Sequence, residues 1–497
     1  MNQYDESRFG ALLEWSQQHG ARLHPSLEIY LDPISKYSLR VKPTASHGLQ
    51  PGFGAVTCPA GITLSYLNAL VDGPLDPSGP FHQRTGAFPA RFTQAVPPYV
   101  LGRFFLIKEY LKGKSSFWWP YIATLPSPEQ VAAWALPPFW PDQDIAYLEG
   151  TNAHVAIEEI QANVKREFKQ ARRLLKEEGF PGVAAYTQLL YKWSFSIFTS
   201  RSFRPSLILS DATKQHISTF LPEGVQLDDF SILQPLLDVA NHSPTARYTW
   251  DTTSVRDACQ LVCHDPYQPG AQVYNNYGLK TNSELLLAYG FLLPETSALH
   301  NDYVHVRKRL QQQQEEVQQG EKVVDPQKAV AQHSGSDDTP QSFLISLRPL
   351  AHPSSLVGRA RLSTTTSSPL ASLPCFAHFE PALVDDLAAA MATPKEREAV
   401  QRWSSPPPPE EVKELVDKVR GMLGGKVQLD YGKLMEVEGR SGLEEEEEEA
   451  HGEEDDDDER GLPPPGNRNQ TLAAEYREQC AKVLIAAMEG LTVQKGL

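Results

Sequence analysis

The sequence has few cysteines, no long apolar run and little net charge outside one segment. Only five cysteines occur among 497 residues, and their odd number and wide spacing indicate free thiols in a reducing compartment. The first residues contain no basic stretch leading into an apolar one, and no window approaches the ~20 apolar residues that a membrane-spanning helix needs. We therefore expect a cytoplasmic or nuclear protein with no membrane partner.

The net charge of -16 comes almost entirely from one acidic segment. Residues 444–459 hold thirteen acids and no Lys or Arg, which leaves about -3 for the rest of the chain. A dedicated nucleic-acid-binding protein needs excess basic residues to neutralise phosphates. We therefore expect protein partners and no direct nucleic-acid partner. An acidic insertion at about residues 437–466 has little to bury and is predicted to be disordered.

The apolar pattern changes from strand-like to helical and back again. Short strands are predicted at residues 27–30, 37–41 and 62–64, and again at 207–209, 235–239 and 272–274. Between these two groups, from about residue 97 to residue 198, the period is helical. The pattern therefore predicts one β-domain that is split by a helical block.

The longest helix is predicted at residues 152–178. It carries apolar residues at helical spacing and stops at Gly179; these residues are Val155, Ile160, Val164, Phe168, Ala171 and Leu175. A helix start is predicted at residues 127–130, and further helices at 382–403, 410–423 and 472–491. Polar stretches at 311–319, 334–341 and 363–374 indicate linkers or surface insertions.

Two segments concentrate the polar side chains that could hold a cofactor. Residues 235–243 read Pro-Leu-Leu-Asp-Val-Ala-Asn-His-Ser, and residues 270–278 read Gly-Ala-Gln-Val-Tyr-Asn-Asn-Tyr-Gly. Alone, Asn241-His242 is typical of a strand end, and Tyr277-Gly278 of a core tyrosine before a turn. Their order and their separation in the chain favour a single functional site.

Together these segments resemble the C-terminal half of a SET domain. They are most similar to the class with the Rubisco large-subunit, fungal ribosomal-protein and cytochrome c lysine methyltransferases. Gly52-Phe53-Gly54, the Gly-Lys-Ser-Ser-Phe-Trp-Trp-Pro-Tyr run at 113–121, and Ser200-Arg201-Ser202-Phe203 agree with this resemblance. The resemblance covers about residues 25–300.

The resemblance implies an α+β fold in which a SET domain of small β-sheets has a knot-like closure and is split by a helical insert. An all-α C-terminal domain that binds the substrate would follow. The implied limits are 1–95 and 205–300 for the two parts of the SET domain, 96–204 for the insert, and 301–497 for the helical domain.

The resemblance also implies S-adenosylmethionine as the cofactor and assigns roles to individual residues. The cofactor-binding candidates are Gly52, Phe53, Gly54, Arg201, Asn241, His242 and Tyr277. The substrate-binding candidates are Phe203, Asp238 and Tyr289. Methyl transfer needs a neutral lysine amine lined up with a sulfonium methyl, and Tyr277 is the catalytic candidate because its hydroxyl would orient the amine.

Some of these assignments have structural alternatives. Phe203 and Tyr289 are either channel walls or ordinary core residues, and Asp238 either receives the lysine or caps a strand end. Arg201 could equally be a surface residue without the family context. Cys259, Cys263 and His264 lie upstream of Tyr277 and lack a fourth ligand, so no metal site is predicted.

These observations predict an S-adenosylmethionine-dependent protein-lysine N-methyltransferase. It would act as a monomer on a non-histone protein substrate, such as a ribosomal protein. Two alternatives stay open: a protein-histidine methyltransferase, and a catalytically weak or inactive SET-domain module that binds proteins.

Overall fold

The chain forms two units that alternate along the sequence. The computed structural model describes residues 6–76, 86–307, 342–364, 367–404, 407–437, 439 and 462–493. The first unit comprises residues 1–135 and 162–278, and the second comprises residues 136–161 and 279–497. The domain limits implied by the resemblance, near residues 95, 204 and 300, stay predictions.

The elements up to residue 278 include ten strands. In chain order they are α1 Glu6–Gln18, β1 Arg22–Leu23, β2 Leu27–Asp32, β3 Lys36–Val41, β4 Phe53–Pro59, β5 Leu64–Ser65, α2 Tyr66–Val71, α3 Ala90–Ala95, α4 Pro98–Lys112, α5 Trp119–Ile122, α6 Val131–Trp134, α7 Asp142–Ile145, α8 Asn152–Glu177, α9 Gln188–Arg201, β6 Ser202–Phe203, α10 Pro205–Ile208, α11 Asp211–Ser218, β7 Ile232–Leu233, β8 Tyr248–Asp251, β9 Ala258–Cys263 and β10 Gln272–Val273.

The remaining elements are mostly helical. They are α12 Asn282–Tyr289, β11 Tyr303–Arg307, β12 Ser342–Ser346, α13 Leu356–Thr364, α14 Pro381–Met391, α15 Pro394–Arg402, α16 Glu410–Val437 and α17 Arg468–Leu491. Among the described residues, no helix combines the length and the apolar character needed to cross a membrane.

The first unit contains three small antiparallel sheets. Their strand orders are β1-β4-β9-β8, β10-β3-β2 and β5-β7-β6. In the largest sheet Cys58 on β4 lies opposite Cys259 on β9, and the strand register shifts between Gly54 and Val56. Strand β10 joins β3, with Gln272 opposite Arg40, and so brings the segment before Tyr277 back to the start of the chain.

The helices of the first unit are joined by a buried ion pair. Arg103 on α4 donates to Glu167 on α8 at 2.9 Å, and the Tyr191 hydroxyl on α9 donates to the same carboxylate at 2.8 Å. Both charged side chains are almost fully buried, at 1% and 3% exposure. A buried charge needs such partners because desolvation disfavours an unpaired one.

The helix predicted at residues 152–178 is confirmed as α8, which is followed by Gly179 with φ at +61°. One of its predicted core residues is wrong. Val155 is 50% exposed, whereas Ala153 and Ile157 are buried. The buried apolar face of α8 therefore begins with Ala153 and Ile157 and does not include Val155.

Several predicted strands are helical turns instead. Residues 207–209 overlap α10, because Pro205 fixes a helical φ at the first position. Residues 237–239 form a 3₁₀ turn, since Leu236 before it has φ at +69° and cannot continue a strand. The helix start predicted at residues 127–130 is wrong, because Gln130 has a non-helical backbone and α6 begins at Val131.

The second unit packs around α16 and α17. Arg477 on α17 is buried, and its guanidinium donates to the carbonyl oxygens of Leu434 at 2.5 Å and Tyr147 at 3.5 Å. Asp144 accepts hydrogen bonds from three amide side chains near the start of α17. The amides belong to Asn467, Asn469 and Gln470.

The expectation of an all-α region after residue 301 is wrong at β11 and β12. These strands pair antiparallel from Tyr303↔Ser346 to Arg307↔Ser342. Val304 and Val306 favour extended structure, but their partners lie far along the chain, so local periodicity does not reveal the pair. The predicted linkers at 311–319 and 334–341 and the acidic run at 444–459 lie outside the described residues.

The predicted helices of the second unit are present with different limits. The single helix predicted at 382–403 is two, because Thr393 and Pro394 begin a new helix, α15. The other two extend beyond the predictions, to Val437 in α16 and from Arg468 in α17. Leu370 and Leu373 are buried, so residues 363–374 do not form the expected surface insertion throughout.

Two buried titratable groups lie at the start of β11. Asp302 Oδ1 accepts a hydrogen bond from Asn282 Nδ2 at 2.8 Å, and burial raises the pKa of Asp302 to about 6. His300 Nε2 lies 2.6 Å from Ser355 Oγ, and burial lowers the pKa of His300 to about 4, with Arg348 acting in the same direction. Each group is therefore harder to charge in the folded state.

We predict that Asp302→Asn flattens the pH dependence of stability between pH 4 and pH 7. The folded pKa of about 6 exceeds the ordinary 3.8, so the proton favours folding at low pH. The wild-type chain should lose about 3 kcal/mol, relative to the variant, as pH rises through this window. Denaturant unfolding followed over pH measures this, with the exposed Asp417→Asn as control. Parallel wild-type and Asp302→Asn curves would contradict it.

Candidate functional site

The two predicted motif segments lie side by side in the first unit. Asn275 N donates to Asn241 O at 2.8 Å, and Ser243 N donates to Asn275 O at 2.9 Å. His242 and Asn275 thereby form a parallel bridge. These bonds join backbone atoms that are more than thirty residues apart, and they bring Asn241, His242 and Tyr277 together.

Tyr277 is held by two contacts with His242 and one with Ala240. The two rings are stacked, with centroids 5.0 Å apart and planes inclined by 20°. The backbone N–H of Tyr277 donates to His242 Nδ1 at 3.0 Å, and its hydroxyl donates to the carbonyl oxygen of Ala240, also at 3.0 Å. Because Nδ1 accepts a hydrogen bond, the ring proton resides on Nε2.

Two asparagines support this arrangement, and the sequence analysis gave them no role. Asn276 Nδ2 donates to Pro244 O at 3.1 Å, and Asn276 Oδ1 accepts from Gly278 N at 2.9 Å. Asn275 is fully buried, and its Oδ1 accepts from Asn276 N at 2.8 Å and from Trp250 Nε1 at 3.3 Å. Paired amides directly before Tyr277-Gly278 are the signal that could have identified them.

Asn241 also contacts a turn that sequence reasoning missed. Its Nδ2 donates to Ser35 Oγ at 2.7 Å. Ser35 lies between β2 and β3, where Asp32 Oδ1 accepts from the backbone N–H groups of Ile34 at 3.0 Å and Ser35 at 2.7 Å. The Asp-Pro sequence at the start of this turn is its signal in the sequence.

Asp238 is a buried carboxylate with two partners. Its side chain is 1% exposed, and its Oδ2 lies 3.4 Å from Arg201 Nη1. The Tyr121 hydroxyl donates to the same oxygen at 2.8 Å. Burial raises the pKa of Asp238 above its ordinary value, although Arg201 and the Tyr121 hydroxyl act in the opposite direction. Asp238 therefore lies in a 3₁₀ turn rather than at a strand end, and its role toward a substrate stays a prediction.

Arg201 ends α9 and faces three of the groups described above. Burial lowers its pKa, but Asp238, Tyr121 and Tyr277 together raise it above the ordinary value. Its Nη1 also lies 3.4 Å from the backbone carbonyl oxygen of Asp238. Arg201 is therefore a cation paired with the buried Asp238, with a third of its own side chain exposed, and its role toward the cofactor stays a prediction.

The Gly52-Phe53-Gly54 segment begins β4. Gly52 has φ at +91°, which favours glycine, and its N–H donates to Cys263 O at 2.7 Å. A side chain at Gly54 would collide with the end of the Gln260 side chain. The ring of Phe53 meets Tyr267 edge-on, with centroids 6.0 Å apart. The end of the Gln260 side chain is flexible, so packing within the sheet does not by itself require Gly54.

The remaining candidates lie in different parts of the chain. Phe203 on β6 meets Trp250 edge-on, with ring centroids 5.7 Å apart, and Trp250 in turn donates to Asn275. Tyr289 ends α12 in the second unit, where its ring lies 6.2 Å from that of Phe291. Both assignments to the substrate channel stay predictions.

The cysteines of β9 have separate surroundings. Cys259 pairs with Cys58 across the sheet, and burial raises the pKa of Cys259 to about 12. Burial also raises the pKa of Cys263 to about 12, whereas His264 Nε2 lies 2.7 Å from Thr249 Oγ1. Such buried thiols stay protonated at neutral pH and behave as small apolar core side chains.

Comparison with solved structures identifies the architecture. The structure of Rubisco LSMT bound to AdoMet matches with a TM-score of 0.55 and 15% identity, over 97% of this chain and 91% of that one. The fold is that of the SET-domain methyltransferases. No family model matches the sequence.

Curated relatives of this chain are named as protein methyltransferases. The ribosomal lysine N-methyltransferase set10 of Schizosaccharomyces pombe is 28% identical over 59% of this chain and 49% of its own length. The protein-lysine N-methyltransferase EFM1 of Saccharomyces cerevisiae is 23% identical over 56% of this chain and 48% of its own length. A human actin-histidine N-methyltransferase is 24% identical over 37% of this chain and 28% of its own.

These comparisons confirm the resemblance to the SET-domain lysine methyltransferases that the motifs predicted. The chain spans about half the length of the first two relatives, at 49% and 48%. The mixture of small sheets and helices expected for the fold is also confirmed.

We predict that Tyr121→Phe destabilises the first unit by about 1–3 kcal/mol, because the buried Asp238 carboxylate loses a hydrogen bond. The loss should shrink at acidic pH, where protonated Asp238 needs the hydroxyl less. Denaturant unfolding followed over the pH range in which both variants stay folded measures both effects. Tyr110→Phe is the matched control, since that hydroxyl donates to Glu129 at 2.9 Å at an exposed position. An equal loss in the two variants would refute the prediction.

Proposed function

We propose that this chain is an S-adenosylmethionine-dependent protein-lysine N-methyltransferase. The observation that carries the proposal is the pairing of residues 241–243 with Asn275, which stacks Tyr277 on His242 within a SET fold. The relatives named as lysine methyltransferases support the same reaction. Taken separately, Asn241-His242 would fit a strand end and Tyr277 a core tyrosine. The contact between the two segments supports a methyl-transfer site instead.

The cationic side chain of Arg201 fits the carboxylate of the cofactor. It is 33% exposed on its side chain, and its described bonds to Asp238 involve Nη1. Guanidinium groups bind carboxylates through two parallel N–H bonds, so the other nitrogens suit this role. We assign Arg201 and the backbone of Gly52, Phe53 and Gly54 to the amino-acid end of the cofactor.

The remaining cofactor contacts are assigned to the second motif. The backbones of Asn241 and His242 would bind the adenine, and the Tyr277 ring would border the methyl group. Asn241 is well placed for this because its backbone oxygen and its side chain are both fixed, by Asn275 and Ser35 respectively. A preorganised backbone costs less to order when a ligand binds.

Tyr277 orients the reacting amine. When bound, S-adenosylmethionine supplies a methyl group on a positively charged sulfonium. The lysine amine must be neutral to accept it, and burial together with the nearby positive charge disfavours the ammonium form. The Tyr277 hydroxyl donates to Ala240 O, so its lone pairs point away from that carbonyl and can position the amine. Its contribution is alignment rather than proton abstraction.

We assign Phe203 and Asp238, which both lie in the first unit, to the lysine channel. Ring faces attract a lysine side chain while it is still charged, which suits Phe203. The buried Asp238 carboxylate, fixed by Tyr121 and Arg201, adds a negative charge that would receive the incoming amine.

The finer architecture is also part of the proposal. We infer a knot-like closure in which residues 275–278 pass beside residues 241–243, supported by the backbone bonds between them. The helices between about residues 96 and 204 would be the insert, and the helices of the second unit would hold the protein substrate.

The substrate we propose is a non-histone protein, with a ribosomal protein as the first candidate because of the named role of the set10 relative. The chain would act as a monomer in the cytoplasm or nucleus. The five cysteines are free, which supports a reducing compartment.

A direct test combines activity and substrate. The full-length protein is incubated with labelled S-adenosylmethionine and an extract of cells that lack it, and mass spectrometry then locates the label. The proposal expects label on lysine. Label on histidine would favour the alternative reaction, and absence of both label and calorimetric cofactor binding would favour a protein-binding module.

We predict that Tyr277→Phe lowers kcat about 100-fold while cofactor binding persists, because the amine loses its orienting group. Single-turnover methylation and calorimetry separate the two steps. Tyr274→Phe, three residues earlier and half-buried, is the matched control and should keep its turnover. Wild-type kcat in Tyr277→Phe would remove Tyr277 from its role.

A further inference from the structure

The exposed face of α8 carries an unusual row of positive charge. Five basic residues are exposed on it, and together they are called the basic stripe: Lys165, Arg166, Lys169, Arg173 and Lys176. At about 100° per residue these positions fall within roughly 100° of the helix circumference, and they extend along about 16 Å of its axis. The stripe lies entirely in the first unit.

The stripe has almost no compensating negative charge among the described residues. The only acid between residues 162 and 176 is Glu167, which is buried and paired with Arg103 at 2.9 Å. Within the described part of the chain, the one ion pair made by the stripe joins Arg173 to Glu177 at 3.6 Å. Surface acids of α8 lie before and after the stripe, at Glu158, Glu159 and Glu177.

Such an arrangement weakens the helix unless a partner offsets it. Like charges three or four residues apart repel, as in the pairs Lys165–Lys169 and Lys169–Arg173. The opposite face of α8 already serves the core, where Val164, Phe168 and Leu175 are buried. Core packing therefore fixes the helix but does not require five cations on its outer face.

We propose that the basic stripe is a binding surface for the phosphate backbone of RNA. Lys165, Lys169 and Arg173 follow one another at about 6 Å along the axis, and Arg166 and Lys176 widen the row, which suits a charged strand. Arginine and lysine alternate along it, and both bind phosphate oxygens. The positive charges of the basic stripe therefore match the negative charges along an RNA backbone.

The absence of exposed apolar residues on this face distinguishes RNA from an acidic protein. The apolar residues of the stretch from Val164 to Leu175 are buried. Protein interfaces have an apolar, often aromatic, centre inside a polar rim. Binding to a phosphate backbone requires only the charges, so the stripe fits it without further contacts.

Binding of this kind would be independent of sequence and sensitive to salt. Resting on the proposed function, it would hold the enzyme near protein substrates that are themselves bound to RNA. No residue of the stripe is among those assigned to methyl transfer, so RNA binding and catalysis can be measured apart.

The test measures RNA binding by the full-length chain without cofactor or protein substrate. Fluorescence anisotropy with a labelled 20-nucleotide single-stranded RNA of mixed sequence is recorded over a range of salt concentrations. Five phosphate contacts predict a slope of log affinity against log salt of about -3.5. The triple variant Lys165→Glu, Lys169→Glu, Arg173→Glu should lower affinity at least tenfold and make the slope shallower.

The control carries the same change of charge at dispersed exposed positions, Lys114→Glu, Arg256→Glu and Lys395→Glu. It should retain affinity within about threefold. Circular dichroism confirms that both variants are folded, and Lys165→Gln with Lys169→Gln provides a milder pair. Equal losses in the triple variant and the control would overturn the proposal, as would no RNA binding by the wild type.

A poly-glutamate peptide of matched charge tests the other kind of polyanion. The proposal expects it to bind more weakly than the RNA, and tighter binding at the stripe would overturn the choice of RNA. Loss of RNA binding with unchanged methylation of a protein substrate would leave the proposed function intact. The two ideas can therefore fail separately.

Discussion

The candidate site depends on the short backbone pairing between residues 241–243 and Asn275. Two hydrogen bonds, at 2.8 and 2.9 Å, fix the relative position of chain segments that are distant in sequence. Because they join backbone atoms, they set the geometry before any functional side chain is considered. The stacking of Tyr277 on His242 follows from this position. Oδ1 of Asn275 and the side-chain amide of Asn276 then hold the turn through further hydrogen bonds.

A buried charge extends this constraint to the helices. Asp238 lies in a turn entered through Leu236, whose φ of +69° is costly for a branched side chain. Removing Asp238 from water is also unfavourable, and its raised pKa expresses that cost. The hydroxyl of Tyr121 on α5 and the guanidinium of Arg201 at the end of α9 offset it. The strained backbone of Leu236 and the buried charge of Asp238 thus lie close to Tyr277. A functional site benefits there from side chains that are held in one position.

The sequence revealed what depends on local periodicity and on motifs. Helix α8 and the two motif segments were predictable, because each lies within one continuous run of the sequence. The pairing of β4 with β9 and of β11 with β12 was not, since strand partners are chosen by tertiary packing. The same limit explains Ser35, which meets Asn241 from a distant turn. At residues 207–209 apolar composition suggested a strand, but the φ fixed by Pro205 produced a helical turn.

Net charge was the least informative quantity in the sequence. The net charge is -16 for the whole chain and about -3 without residues 444–459. Both values add charges that lie too far apart to interact through solvent. At physiological ionic strength, charges interact over about 8 Å, so a ligand senses a patch rather than a total. The row from Lys165 to Lys176 is such a patch, and Glu167 within it is turned into the core. A statement about partners therefore requires knowing which face each charge occupies, and helical periodicity supplies that before any whole-chain sum does.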